Sequence, residues 1–199
     1  MPETSSNPNE SAPAIKKMRR EIRYDAVAAV IAALVGMLAL LVAGYTAYIQ
    51  RQQVRAQVWP RLVLGHSNVE GRYEFTVLNQ GVGPAIVQSV QVLVSGKPVS
   101  GWHALEKLFG FTPRSPGVFS TLNKMVLTPG ERLHWIRFQN LADIDAFTAD
   151  WVRFHVEAQV CYSSTLGESW LVVFHPGELA NPREVSSCPK LPVSAQFWD

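Results

Sequence analysis

The sequence predicts a mainly β protein: an antiparallel β-sandwich with two short helical inserts, preceded by one transmembrane α-helix. Three observations lead to this fold class. The chain has a long uncharged apolar run between Asp25 and Arg51. After residue 60, several short segments alternate polar and apolar side chains, as half-buried strands do. Clusters of Gly, Pro, Asn and Ser separate these segments, which is typical of turns between antiparallel strands.

The apolar run predicts a membrane-spanning helix at residues 25–50. A helix over residues 26–49 would be about 36 Å long, enough to cross a hydrocarbon core of ~30 Å. A cleaved secretory signal is the alternative, but its apolar core is usually much shorter. Tyr45 and Tyr48 also lie at the exit of the run, where interfacial aromatic residues are expected. We therefore expect the chain to be anchored in a lipid bilayer.

The flanks of the span predict its orientation. Residues 1–24 form a basic stretch that begins with Pro, Ser, Asn and Glu, so we expect a disordered cytoplasmic tail. Five Lys or Arg residues precede the span, and three follow it closely. Since positive charge favours the cytoplasmic side, this bias places the C-terminal domain outside the cytoplasm. In a bacterium, the chain would lie in the inner membrane with its domain in the periplasm.

Small residues recur along the predicted span at intervals of four, with one interruption at Leu40. They are Ala28, Ala32, Gly36 and Gly44. Such a smooth face lets a second helix approach closely, which would support a homo-oligomer or a membrane partner. Ala and Gly are common in any transmembrane helix, so this pattern alone leaves both interpretations open.

Beyond the span we expect a linker at residues 51–58 and one β-domain at residues 59–199. The polar residues to Gln57 should continue the helix until Trp59-Pro60 stops it. The clearest alternating segments are 72–78, 90–94 and 152–160. Two stretches with apolar residues at helical spacing predict the inserts, at residues 102–109 and 141–147.

Two motifs carry a family resemblance. One is Asn79-x-Gly-x-Gly-Pro-Ala85, followed by a strand, and the other is Cys161-Tyr-x-Ser-x-x-x-x-x-Trp170. Together with Trp59-Pro60, they resemble a group of uncharacterised bacterial single-pass membrane proteins with an immunoglobulin-like extracytoplasmic domain. The resemblance implies the fold and topology but no activity. For the first motif we expect glycines that permit a positive-φ turn and an Asn79 side chain that bonds to the backbone.

The same resemblance leads us to expect cysteines at positions 163 and 169, where this chain has Ser163 and Ser169. Their absence would leave Cys161 and Cys188 as the other pair, a hypothesis that is consistent with an oxidising compartment. The alternative is two buried thiols, because sequence alone does not establish proximity.

Composition and spacing argue against several kinds of function. From Gln57 onward the chain has 11 basic and 12 acidic residues, a net charge of −1, so no nucleic-acid surface is expected. The five histidines are far apart and form no HxH, HExxH or CxxC pattern, so we expect no metal site and no cofactor. No GxSxG elbow or phosphate-binding loop occurs, so we expect no catalytic residues.

These exclusions leave surface recognition as the expected function. The segment 109–119 is rich in aromatic residues, Pro and Gly, and its candidate partner-binding residues are Phe109, Phe111, Arg114 and Phe119. The alternative is that these phenylalanines cover the nearby helical insert. We expect a membrane-anchored, non-enzymatic interaction module that serves a membrane or envelope protein complex as an accessory subunit. A periplasmic ligand-binding or sensing module is the second hypothesis, and it requires a concave apolar pocket.

Overall fold

The computed structural model describes residues 12–110, 112–114, 117–178 and 180–198, with side chains described from residue 24 onward. The chain divides into two compact units, one that ends at Gln53 and one that begins at Val54.

The first unit consists of most of a long helix, α1, which runs from Ala12 to Gln57. Its segment Tyr24–Gln57 is long and apolar enough to cross a membrane, judged by length and composition. The helix ends before Trp59-Pro60, as expected. It begins inside the predicted tail, so residues 12–24 are helical rather than irregular. Pro13 is tolerated there because a proline in the first turn of a helix removes no internal hydrogen bond. Residues 1–11 of the predicted tail lie outside the described part of the chain.

In its described residues after α1, the second unit has ten strands and two helices. The strands are β1 (Leu62–Val69), β2 (Arg72–Asn79), β3 (Ala85–Val94), β4 (Lys97–Val99), β5 (Val118–Phe119), β6 (Val126–Leu127), β7 (Arg132–Phe138), β8 (Val156–Ser163), β9 (Ser169–Phe174) and β10 (Arg183–Val185). The helices are α2 (Trp102–Phe109) and α3 (Leu141–Arg153), and a 3-10 turn lies at Val193–Ala195.

The strands form two antiparallel sheets. The first sheet has the order β1-β2-β7-β5, and the second has the order β10-β9-β8-β3-β4. The short strand β6 also pairs with β3, through Ala85 and Ile86. The mainly β class and the antiparallel arrangement are therefore as predicted.

Both sheets contribute to a single hydrophobic core. Phe75 on β2 and Phe174 on β9 meet edge to face, with ring centroids 4.7 Å apart. A second aromatic cluster joins Trp102 of α2 to Trp135 of β7 and to Phe197 near the C-terminus, at 5.3 and 4.9 Å. Phe197 is 1% exposed, so it packs inside the domain as a core residue.

The helical inserts occur where the sequence predicts them, but the second is longer than expected. Helix α2 has the predicted bounds, whereas α3 continues to Arg153. The predicted strand 152–160 is wrong at its start, because β8 begins at Val156. Ile144, Phe147 and Trp151 lie at helical spacing and are buried, so the helix gains core contacts that the alternating pattern at 152–155 cannot supply.

Candidate functional site

The chain that follows α1 is held against a turn of the β-domain. We call residues 58–61 together with the turn 79–83 the junction. The carbonyl of Trp59 accepts hydrogen bonds from the N–H groups of Val82 and Gly83, at 3.0 and 3.2 Å. The carbonyl of Arg61 accepts one from the Gln80 N–H at 2.8 Å. The residues that directly follow the predicted linker 51–58 are therefore bound to the turn 79–83 through their backbone.

Asn79 is the centre of the junction. Its side chain is fully buried, and its amide donates to the carbonyls of Gly83 and Leu127 at 2.8 and 3.0 Å. Its side-chain oxygen accepts from the backbone N–H groups of Gly81 and Arg61, at 3.0 and 3.2 Å. This one side chain thus ties the turn to residue 61 and to the end of β6.

The two glycines of the turn are required by close approach of the backbone. A β-carbon at Gly83 would overlap the carbonyl of Val58, and one at Gly81 would overlap the backbone of Trp59 and Arg61. Neither glycine has a positive φ, so the expected positive-φ turn is wrong. The glycines instead make room for the chain leaving the helix.

The motif between Cys161 and Trp170 also contacts the chain at the junction. The Tyr162 hydroxyl accepts a hydrogen bond from the Leu62 N–H at 3.2 Å, and its ring stacks on Trp170 at 5.7 Å. Tyr162 is fully buried, and this burial raises its pKa to about 12. Glu168 lies in the β8–β9 turn and pairs with Arg55 in the last turn of α1, at 3.1 Å. Residues from both motifs therefore hold the segment between residues 55 and 62.

Cys161 and Cys188 form a disulfide with an S–S distance of 2.07 Å. This bond attaches the C-terminal segment to β8. Ser163 and Ser169 are direct cross-strand partners on β8 and β9, two residues beyond Cys161 on the same strand face. Beside them lies a cavity of about 420 Å³. Cys188 of the disulfide thus lines a concavity on the domain surface, together with lysine and serine side chains.

The two described phenylalanines of the predicted partner-binding segment pack against other aromatic rings of the domain. Phe109 stacks on Phe154 at 5.2 Å, and Phe119 packs on Trp102 at 5.5 Å. The backbone N–H of Arg114 donates to both carboxylate oxygens of Asp143 at 3.0 Å, while the arginine is exposed. Phe111 lies outside the described residues.

The small-residue face of α1 is open along the single chain. Ala28, Ala32, Gly36 and Gly44 are all exposed. A β-carbon added at Gly36 or Gly44 would meet no atom within 4 Å.

Within the described part of the chain, no group of three or more His, Cys, Asp or Glu side chains could hold a metal ion. Three histidines lie beside separate carboxylates: His103 by Glu106 at 3.2 Å, His134 by Glu74 at 3.4 Å and His175 by Glu157 at 3.8 Å.

Residues that the two motifs contain, above all Asn79, Tyr162 and Glu168, converge on the chain leaving the helix. No match to this chain was found among protein-family models, among curated proteins or among solved structures.

Proposed function

We propose that this chain is a non-enzymatic interaction module anchored in the bacterial inner membrane. In this proposal α1 spans the bilayer with its N-terminus in the cytoplasm, and the β-domain lies in the periplasm. The domain binds a membrane or envelope protein complex as an accessory subunit. The observation that carries the proposal is the junction, which leaves no free linker between the last turn of α1 and β1.

The junction limits how far the domain can reach. A flexible linker would let the domain sample a volume that grows with linker length. Here residues 59 and 61 are hydrogen-bonded to the turn 79–83, and Arg55 is paired with Glu168. Only residues 58–61 separate α1 from β1, so the length of the chain itself limits the reach of the domain, which favours a subunit of a membrane complex over a tethered capture domain.

The periplasmic location is supported by two independent observations. Basic residues are more frequent before the span than after it, which favours a cytoplasmic N-terminus. The domain also has a disulfide between Cys161 and Cys188, and such bonds persist in oxidising compartments.

We also infer that the two sheets form an immunoglobulin-like sandwich. In that fold one sheet has the strand order A-B-E-D and the other contains C, F and G. The order β1-β2-β7-β5 corresponds to A-B-E-D, and β3, β8 and β9 then stand at C, F and G. Strand β4 stands next to β3, where the variable type adds C′. An experimental structure with a different strand order would contradict this assignment.

The test is cross-linking and purification of the full chain from its native membrane, followed by mass spectrometry. The matched variant carries a short Gly-Ser insertion between Gln53 and Val54, which precedes the junction and leaves its residues unchanged. We expect a stoichiometric membrane protein with the natural chain and a reduced yield of that protein with the insertion. Recovery of the chain alone, as a monomer or homodimer, would contradict the accessory-subunit proposal.

A homo-oligomer through α1 is an alternative to the accessory-subunit proposal, and the open small-residue face supports it. Gly36→Leu should weaken self-association in the membrane if this face is used. Leu40→Ile changes the interrupting position with little change in volume and is the control. Equal cross-linking of both variants would exclude this face.

The second candidate function is ligand binding or sensing. Its supporting observation is the cavity of about 420 Å³ beside the disulfide. This cavity contains lysines and serines, so it differs from the apolar pocket that the sequence-based hypothesis requires.

A further inference from the structure

The cavity beside the disulfide lies where three parts of the domain meet. These are the irregular pairing of β3 near Gln88, the β8–β9 turn, and the C-terminal strap, which we define as residues 188–191. The volume of about 420 Å³ lies within the range of small-molecule sites, roughly 300–1,000 Å³. The lining residues that carry polar or charged groups towards a ligand include Gln88, Ser89, Lys124, Ser163, Ser169 and Lys190.

The charged side chains that line this cavity are all positive. Lys124 and Lys190 are its charged lining residues, and every lining residue belongs to the described part of the chain, with no carboxylate among them. Glu168 lies between Gly167 and Ser169 in sequence, but its carboxylate pairs with Arg55 at 3.1 Å and lies 3.4 Å from the Ser164 hydroxyl. An anion in the cavity would therefore meet positive charge without a competing carboxylate on the wall.

The lysine on the β3 side is positioned by the backbone. Lys124 has a left-handed backbone conformation, with φ of 65°, and its ammonium donates to the Gln88 carbonyl at 2.6 Å. An ammonium group has three N–H donors, so this bond leaves donors for a ligand.

Hydroxyl groups supply further donors. Ser89, Ser163 and Ser169 are 5%, 8% and 8% exposed and line the cavity. The side-chain amide of Gln88 donates to the Ser163 oxygen at 3.0 Å. Because that oxygen is the acceptor, the Ser163 O–H remains able to donate to a ligand.

The wall opposite the sheets is held in place before any ligand arrives. Cys188 fixes one end of the strap through its disulfide to Cys161. At the other end, the Leu191 carbonyl accepts from the Gln196 side chain at 2.8 Å, and Gln196 accepts from Asn123 at 3.1 Å. A preformed wall lowers the entropy cost of binding.

We propose that this cavity binds a small organic oxyanion, one that carries a carboxylate or phosphate group, between Lys124, Lys190 and the serine hydroxyls. Charge-assisted hydrogen bonds to the two ammonium groups supply the affinity, and the hydroxyls orient the anion. This site goes beyond the proposed anchoring function and does not depend on it.

The test is calorimetric titration of the full chain in nanodiscs made of neutral lipid. Citrate and inorganic phosphate are the probes, with chloride holding the ionic strength constant because exposed charges are screened by salt. We expect at least one probe to bind. Binding of citrate alone would identify a carboxylate ligand, and binding of phosphate alone would identify a phosphate ligand. Binding of both probes would indicate that the site recognises the oxyanion chemistry that they share. Absence of binding by either probe would overturn the proposal.

The variant is Lys124→Gln with Lys190→Gln, and the control is Lys97→Gln with Lys107→Gln. These four are the lysines that follow the span, and all are exposed. The cavity variant should bind the probe at least tenfold more weakly, which equals about 1.4 kcal/mol, while the control binds as the natural chain does. Equal loss in both pairs would overturn the proposal, since it would indicate a non-specific charge effect. Lys190→Glu on the strap is a second variant, which should weaken binding even if Lys124 proves necessary for folding.

Discussion

The carbonyl of Val58 lies where a β-carbon would stand if residue 83 were not glycine. This relationship joins the first residue after α1 to the turn between β2 and β3. It explains why the Asn79 motif and the Trp59-Pro60 pair occur together in one chain, since each forms one side of the same contact.

Gly83→Ala should destabilise the β-domain. The added methyl overlaps backbone atoms that cannot rotate away, and overpacking of this kind costs about 1–3 kcal/mol. Gly65→Ala is the control, because a β-carbon there meets no atom within 4 Å. Urea unfolding followed by tryptophan fluorescence will measure the difference, since all six tryptophans lie after residue 58. A Gly83→Ala midpoint equal to that of the control would contradict the close contact.

Asn79→Ala should be more disruptive than Gly83→Ala. The substitution removes four hydrogen bonds and leaves buried donors and acceptors unpaired, at about 1–3 kcal/mol for each unsatisfied group. We expect a loss of several kcal/mol, or failure of the domain to fold. Asn68→Ala, at an exposed position on β1, should change the unfolding free energy by less than about 0.5 kcal/mol. If the two variants were equally stable, Asn79 would not be the centre of the junction.

Removal of the disulfide should lower both stability and anion binding. Cys161 and Cys188 are 27 residues apart, and a disulfide that closes a loop of this size stabilises the folded state by about 3.5 kcal/mol. Cys161→Ser with Cys188→Ser should also free the strap and weaken oxyanion binding. Thermal unfolding and titration with citrate will measure the two effects. Unchanged binding with reduced stability would mean that the strap does not need the disulfide to form the cavity wall.

Tyr162 should make the domain less stable at high pH. Its pKa is raised to about 12 by burial, whereas an unfolded tyrosine ionises near 10. The contribution of neutral Tyr162 to the free energy of unfolding is complete below about pH 10. It is lost as the pH rises towards 12, and the loss reaches up to about 3 kcal/mol. Tyr162→Phe should lower stability at neutral pH, because the Leu62 N–H loses its acceptor. The variant should lose less stability than the natural chain between pH 10 and 12. Parallel slopes of unfolding free energy against pH would contradict this.

The sequence predicts those elements whose periodicity agrees with their burial. Strand β2 alternates along its whole length, and the pattern predicts it to within one residue. The sequence predicts helix α2 with its observed bounds, because its apolar residues repeat at helical spacing and Gly110 ends it in a left-handed conformation. Segment 152–155 also alternates, but the local pattern cannot reveal that Trp151 packs against Phe147 at 5.2 Å and extends the helix.

The junction could be predicted only in part. Glycines at 81 and 83 and Asn79 are visible as a turn motif, but their contact with residues 58–61 is a long-range feature of the fold. Arg55 and Glu168 carry no local signal, since an ion pair between distant residues has no spacing rule. The cavity has no local signal for the same reason: the sheet order and the disulfide bring together Lys124, Ser163 and Lys190, which are far apart in sequence.

The position of Phe197 has a consequence for biosynthesis. Its ring packs against Trp102 and Trp135, and its backbone N–H donates to the Val90 carbonyl. Val90 lies on β3 between the part that pairs with β6 and the part that pairs with β4. If the domain is exported as proposed above, a nascent chain that has released residues 62–174 would have made nearly all strands, yet it would still lack this core residue. Contacts so distant in sequence form late. We therefore expect an interval during translocation in which β3 has an open edge, and in which a chaperone on the far side of the membrane would protect it from aggregation.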